Sequence, residues 1–336
     1  MIKAAIIGCG RVGGGYDDPS TLRGKEALTH GGAYYLHPRT ELVACCDIDE
    51  QKVNEFSRKW SVPLKFLSVD EFFSYVSENI DILTIATPDK EHYSMIKRAV
   101  ELGVPVVICE KPISQNIDSC MEIIDICQKG RTCLTVNMTR QWAENIKGLK
   151  GNLESGIIGD LKLVNAFYSG GVVHNGIHLI DMFYMLFGNM RAFEIREASY
   201  CRDEHDLSVS FDFLVNTNVR CVVHGLGFAD FDIFEIDIIG TKGRLVISDF
   251  THNISLFKKG KSKIYDSDIE LLKIPYKDSN NFKTTFYNLV DEAVMCMEEE
   301  KGFSYKLTDI KRSMETVFVI KEKAERLLSE EICQKN

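Results

Sequence analysis

Two hydrophobic rhythms divide the chain. Up to about residue 140, short and nearly continuous apolar runs alternate with amphipathic stretches. The runs are Ile2–Ile7, Glu41–Cys46, Ile82–Ala86, Pro105–Cys109 and Thr132–Val136. Between them lie Glu50–Lys59, Val69–Val76, Glu91–Leu102 and Asp118–Gln128, each with helical spacing. Strands apolar on both faces and separated by helices predict a parallel sheet covered on both sides. Right-handed crossovers make such a sheet doubly wound. Later the rhythm changes. Leu161–Tyr168, Leu207–Leu214, Val219–Phe228, Phe234–Ile239, Arg244–Ile247 and Ile254–Phe257 are strand-like, several with period-two alternation. Gly240–Gly243 is a turn signal between two of them and predicts a hairpin. This part reads as an antiparallel sheet, open on one face for helices or a second subunit. A last helix is expected from about Thr308 to Leu328, with Thr308 as N-cap and Ile310, Met314, Val317, Ala324 and Leu328 as its apolar stripe. The expected domains are residues 1–122 and 123–336.

Composition narrows the class. The 336 residues are 45% hydrophobic and 26% charged, an ordinary globular balance that excludes disordered, collagen-like and coiled-coil chains. The net charge of −9 is spread evenly, −4 over residues 1–120 and −5 over the rest. No basic face for nucleic acid or an anionic membrane is expected. Apolar runs such as Val104–Cys109 are far shorter than a membrane span needs. Met1–Cys9 runs straight into glycines and reads as a strand, not a signal peptide. The 11 cysteines are odd in number and lack C-x-x-C spacing, which fits unpaired thiols in a reducing cytoplasm.

Gly8-Cys9-Gly10-Arg11-Val12-Gly13 follows the first strand. One glycine makes the tight turn, the next lets the backbone approach a pyrophosphate, and the third lets a helix pack close to the strand. At the start of a strand–helix–strand series this points to a dinucleotide. Asp47 ends the second strand, where a carboxylate can accept from both hydroxyls of an adenine ribose. It would repel a 2′-phosphate and no arginine follows, so NAD(H) is expected rather than NADP(H). Its other reading is as N-cap of the helix beginning at Glu50. From Gly13 to Asp47 is 34 positions where about 20 are usual. The excess, Gly14–His30, reads as a loop interrupting the first helix. It is either a lid or a connector.

Four segments in order carry a family resemblance: Ile6–Gly13 (IIGCGRVG), Ala86–His92 (ATPDKEH), Glu110-Lys111-Pro112, and Gly170–Asp181 (GGVVHNGIHLID). The chain resembles the Gfo/Idh/MocA oxidoreductases over nearly its whole length. Asn137–Arg140, Ser155–Gly159, the Gly240–Gly243 hairpin and the final helix also sit where that family has counterparts. The resemblance implies an N-terminal Rossmann domain and a C-terminal α/β domain with a large open, mostly antiparallel sheet. It also implies a homodimer or homotetramer through that sheet. It implies NAD(P)-dependent hydride transfer at a hydroxyl or ketone of a sugar, polyol or nucleotide-sugar. In that family pattern Thr87, Pro88 and Glu110 lie near the nicotinamide and Lys111 at the reacting hydroxyl. Many members carry an aspartate four residues before the histidine matched by His178; this chain has His174 there.

Hydride transfer needs a group that takes or gives the hydroxyl proton. Lys111 follows a buried strand, and partial burial suits a lysine to proton exchange. Its other reading is a surface lysine paired with Glu110. His174, His178 and Asp181 share one face if residues 175–187 are helical. His178 and His174 are candidate acid–base groups, with Asp181 fixing a tautomer; Asn175 and His178 are candidate substrate contacts. No metal is expected at this histidine pair, because no further ligand cluster completes a site. His92 either shapes the cofactor cleft or starts a helix. Asn137 is a candidate cofactor contact. Arg140 and Trp142 are candidate substrate contacts, Arg140 through bidentate binding of an anionic group. Phe72, Phe73, Tyr34, Tyr35 and Met182–Phe187 read as core. The expected protein is an NAD-dependent sugar or polyol dehydrogenase or ketosugar reductase. Its rivals are an NAD-binding sugar sensor without turnover and an NAD-dependent glycosidase.

Overall fold

The computed structural model describes residues 1–201, 206–215, 218–227, 231–265, 267–276, 282–299 and 301–335. Its first elements are β1 (Ile2–Ile7), α1 (His30–Leu36), β2 (Thr40–Cys46), α2 (Glu50–Trp60), β3 (Leu64–Phe66), α3 (Val69–Asn79) and β4 (Ile82–Ile85). Then come α4 (His92–Glu101), β5 (Val106–Cys109), α5 (Ile117–Lys129) and β6 (Cys133–Val136). These six strands form one parallel sheet in the order β3-β2-β1-β4-β5-β6. That is the doubly wound Rossmann order, with its switch point between β1 and β4. The sequence dictates the helix starts: Asp49 accepts from Gln51 N and Lys52 N, Ser68 from Glu71 N, and Asn116 from Ser119 N. Every residue of β4 and β5 is buried, as expected for strands covered on both faces.

The remaining elements are α6 (Glu144–Glu154), β7 (Leu161–Ser169), α7 (Ile177–Phe187), β8 (Met190–Tyr200), β9 (Leu207–Val215), β10 (Val219–Leu226), β11 (Phe234–Gly240) and β12 (Gly243–Ser248). After them come β13 (Asn253–Lys261), β14 (Ile269–Ile274), α8 (Thr285–Glu299) and α9 (Leu307–Lys335). Eight strands form the second sheet, ordered β14-β13-β12-β11-β7-β10-β9-β8. Its pairs are antiparallel except β7 with β10, which run parallel. In β11 and β12 buried and half-buried positions alternate, so one face carries the core.

The chain divides into two compact units: Met1–Ala143 with Lys283–Met314, and Glu144–Phe282 with Glu315–Asn336. The expected boundary at 122 falls inside α5, and β6 still belongs to the first sheet, so the division comes later. Two smaller expectations change as well. Helix α9 begins at Leu307, so Thr308 is inside its first turn; the Asp309 carboxylate instead accepts from Lys306 N at 3.2 Å. Tyr35 is 54% exposed, whereas Tyr34, Phe72 and Phe73 are core. Phe228, the expected end of one strand, lies outside the described residues. Among the described residues no helix is long and apolar enough to cross a membrane.

Candidate active site

Strand register assembles the first unit's site. Ile7 pairs with Cys46 and Ile85, Ile85 with Cys109, and Cys109 with Val136. The next residues, Gly8, Asp47, Ala86, Glu110 and Asn137, therefore form one row past the carboxyl ends of the strands. The backbone ladder carries on into that row. Gly8 N donates to Cys46 O, Ala86 N to Ile7 O, Glu110 N to Ile85 O and Asn137 N to Cys109 O, at 2.7–2.9 Å. This edge of a doubly wound sheet is where ligands bind.

The glycines of the first loop are dictated by close approach. Gly8 has φ +103°, and a Cβ there would sit 2.3 Å from Ala86 O. A Cβ on Gly13 would lie 2.2 Å from Gly8 O, while one on Gly10 would meet nothing within 4 Å. The loop runs into a five-residue π turn, Arg11–Gly15, in which Gly10 O accepts from Gly14 N and Gly15 N at 3.1 Å. Asp47 Oδ2 accepts from Cys9 N at 2.8 Å and Oδ1 from Asp49 N at 3.0 Å. Helix α2 is capped by Asp49, so the capping role offered for Asp47 falls to its neighbour.

The loops after β4 and β5 are tied together by His92, which is 1% exposed. Its Nδ1 lies 2.6 Å from Pro112 O and its Nε2 2.8 Å from Thr87 O. Both partners only accept, so the ring satisfies both contacts when it carries two protons and one when neutral. Pro88 is exposed beside Thr87. Glu110 is the hub of the deeper part. Its Oε1 accepts from His30 Nε2 at 2.8 Å and from Asn137 Nδ2 at 2.7 Å. Burial pushes this carboxyl up. The hydrogen bond and charge of His30, the Asn137 amide and the Lys111 charge outweigh it and hold the group below the ordinary glutamate range. Lys111, next in the chain, is half-buried.

These residues fit a dinucleotide. The space beside Gly10 is open, the Asp47 carboxylate is held rigidly at the end of β2, and Thr87 Oγ1 and Asn137 Oδ1 are buried without a hydrogen-bond partner among the described residues. A dinucleotide held here would have its phosphates at the loop of Gly8, Gly10, Arg11, Val12 and Gly13, its adenine ribose at Asp47, and its redox end near Thr87, Glu110 and Asn137.

Arg140 and Trp142 lie in a short 3-10 turn after β6. Trp142 is fully buried, its ring meeting Phe303 and Tyr305 edge-on at 6.2 and 6.3 Å and its carbonyl accepting from Asn288. That enclosure makes Trp142 core, correcting its expected role as a substrate contact. Arg140 is 7% exposed.

In the second unit a π turn, Val172–Gly176, leads into α7. His174 on the turn is exposed, Asn175 is half-buried, and His178 and Asp181 on α7 are 8% and 1% exposed. Asn175 Nδ2 donates to Ser169 O at 2.8 Å. The Asp206 carboxylate accepts from Val173 N and His174 N at 3.0 and 2.9 Å, so it closes the mouth of the turn. A Cβ on Gly171 would lie 1.9 Å from Asp206 Oδ2, which dictates that glycine.

The profile of an oxidoreductase family with an NAD-binding Rossmann fold, GFO_IDH_MocA, matches residues 2–138. Residues 2–138 are similar to the Rossmann domain of that family. A D-apiose dehydrogenase of Paraburkholderia graminis is 24% identical over 205 residues, which cover 56% of this chain and 50% of that protein. The match thus spans about half the length of this curated relative. Among solved structures, levoglucosan dehydrogenase in complex with NADH and L-sorbose has a TM-score of 0.79 at 15% identity, with 97% of each chain covered. A variant of KijD10, a 3-ketoreductase from Actinomadura kijaniata solved with TDP-benzene and NADP, has a TM-score of 0.73 at 15% identity, covering 95% of this chain and 96% of that one. These likenesses show the fold. The family match identifies residues 2–138 as an NAD(P)-binding Rossmann domain, and the solved neighbours carry either dinucleotide.

Two residues of these sites were not singled out from sequence. His30 sits 80 positions from its partner Glu110. Its only local sign is Thr29, which caps α1 by accepting from Gly32 N. Asp206 lies 32 positions after His174, and nothing in the sequence joins them.

Proposed function

We propose that this chain is an NAD-dependent oxidoreductase acting on a hydroxyl or ketone of a sugar or polyol, nucleotide-linked sugars included. The row of Gly8, Asp47, Glu110 and Asn137 at the switch point, with Lys111 directly after Glu110, carries this reading. When bound, the nicotinamide supplies the hydride acceptor or donor. The amides of the Gly8–Gly13 loop hold the phosphates, and Asp47 favours a free 2′-hydroxyl over a 2′-phosphate. Lys111 exchanges the proton of the reacting hydroxyl, with its charge balanced by Glu110. His178 and His174 assist in proton handling, and Asn175 and Arg140 serve substrate binding. The half-buried face of the eight-stranded sheet, with His224 stacked on Phe167 at 4.9 Å and Arg244 paired with Asp237, is read as a homo-oligomer interface. The free cysteines among the described residues fit a reducing cytoplasm.

The test is NADH absorbance with a panel including myo-inositol, D-apiose and levoglucosan. Lys111→Ala is expected to cut turnover on the responding sugar by 10²–10⁴. A loss smaller than about tenfold rejects the lysine's role. Tight NADH binding with no absorbance change for any sugar favours a sensor.

A further inference from the structure

The long excursion between the glycine loop and α1 is fixed at its base. Asp17 Oδ2 accepts from Leu28 N at 2.9 Å and from Thr29 Oγ1 at 2.6 Å, and Ala27 N donates to Lys283 O at 2.8 Å. Gly32 is dictated by the same carboxylate, since a Cβ there would lie 2.3 Å from Asp17 Oδ2. This arrangement sets the start of α1 and makes His30 its first residue. The His30 ring is fully buried, edge-on to Phe286 of α8 at 5.0 Å. Its Nε2 reaches the carboxylate that precedes Lys111, and its Nδ1 has no hydrogen-bond partner among the described residues. A buried imidazole delivered by a pinned loop to one carboxylate is more than filling, because filling would not need the ring nitrogen.

We infer that His30 is a positioning residue that, through Glu110, sets how firmly Lys111 holds its proton. The inference rests on the proposed reading of Lys111 as the proton-exchanging group. The groups facing Glu110 are His30 from α1, Asn137 after β6, Lys111 beside it, and the Cys109 thiol before it, which burial and the Glu110 charge hold well up. Two hydrogen-bond donors, His30 and Asn137, take up part of the carboxylate's charge, and the Lys111 charge acts on the remainder. Without the His30 donor the ammonium faces a fuller charge and releases its proton less readily. Without the carboxylate it releases the proton more readily.

The experiment needs neither substrate nor cofactor. Lys111 acylation by acetic anhydride is followed against pH by peptide mass spectrometry in the wild-type protein, His30→Phe, His30→Gln and Glu110→Gln. The midpoint is expected to move up by about one pH unit in H30F, which keeps a ring against Phe286, and down by about one unit in E110Q. H30Q, which restores an N–H donor without a charge, is expected to move the midpoint back towards the wild-type value. Should H30F not fold, Asn137→Val removes the other donor to the same oxygen and is expected to move the midpoint up. Coincident midpoints for wild type, E110Q and the donor-deleted variant overturn the inference. The expected pattern without NADH formation from any sugar sustains it and counts against the oxidoreductase reading. NADH formation lost in Lys111→Ala, with coincident midpoints, does the reverse.

Discussion

Two five-residue π turns, Arg11–Gly15 in the first unit and Val172–Gly176 in the second, are built alike and filled differently. Each follows a strand and a glycine with positive φ, Gly8 at +103° and Gly170 at +81°. In each the residue before the turn is a glycine in extended conformation, whose carbonyl accepts from the amides four and five positions on: Gly10 from Gly14 and Gly15, Gly171 from Asn175 and Gly176. The opening amides of such a turn have no carbonyl of their own to bond and attract an anion. In the second turn the chain supplies that anion, the Asp206 carboxylate, which leaves no room for a Cβ on Gly171. In the first turn a Cβ on Gly10 would meet nothing within 4 Å beyond its own chain neighbours. The second turn is closed by a carboxylate of the chain itself, and the first leaves the space where the phosphates of the proposed dinucleotide would lie.

The strongest way to break this comparison is to add single methyl groups to the first loop. Gly8→Ala places a Cβ against the Ala86 carbonyl at a positive φ. Backbone on both sides leaves nowhere to yield, so a loss of about 3 kcal/mol or more in unfolding free energy is expected. Gly10→Ala meets no protein atom and is expected to fold with stability within about 0.5 kcal/mol of wild type. It should nevertheless bind NADH at least about tenfold more weakly, a cost of about 1.4 kcal/mol. Urea unfolding and NADH fluorescence titration separate the two outcomes. Undiminished NADH binding by G10A would mean that the space beside Gly10 is not the cradle.

The second turn sharpens it by a double-mutant cycle. Asp206→Ala removes a charged acceptor from the amides of Val173 and His174, with an expected cost of about 1–3 kcal/mol. Gly171→Ala collides with the same carboxylate and should cost a similar amount. Combined, the two should cost little more than D206A alone, because the collision partner is gone, leaving a coupling of about 1 kcal/mol or more. Additive losses in urea unfolding would show that Gly171 is constrained by something other than Asp206.

The same contrast explains what the sequence revealed. The first sheet was legible because parallel strands buried on both faces read as unbroken apolar runs, and because the glycine loop opens the series. Only β3 escaped, three residues with Leu64 and Lys65 exposed. In the second sheet β8 was missed because it is an edge strand in which only Met190 is buried, and Arg191, Glu194, Arg196 and Glu197 break its alternation. Strand β14 is the other edge and is half-exposed throughout. In the site, strand-end residues such as Asp47, Glu110 and Asn137 could be placed by counting along strands. His30 and Asp206 could not, because each acts on a partner that only the folded chain brings near. The excursion before His30 was visible as a spacing anomaly, but its anchor Asp17 was not.

The weakest expected effect separates the charge clusters of the two units. Glu110 is held low against its own burial mainly by His30 and Asn137, which are enclosed, with a smaller part from the half-buried Lys111. Asp212 is also held below the ordinary aspartate range. Its burial is outweighed by Arg196 and Arg220, whose side chains are 46% and 60% exposed. For a carboxylate held low in the folded state, stability is fully present above the unfolded value, about 3.9 for aspartate, and is lost as pH falls through the lower folded value. Both carboxylates should therefore contribute to acid unfolding. Salt distinguishes them, because exposed guanidinium groups are screened within a Debye length of about 10 Å at 0.1 M and buried partners far less. Asp212→Asn is expected to cost about 1 kcal/mol or less at neutral pH and low salt, and to cost nothing measurable at 1 M salt. Glu110→Gln should keep most of its cost at both salt concentrations, because its hydrogen-bond partners His30 and Asn137 are out of reach of the ions. Equal salt sensitivity in the two variants, read from urea midpoints, would mean that the Glu110 cluster is open to solvent and would remove the ground for treating His30 as an enclosed donor.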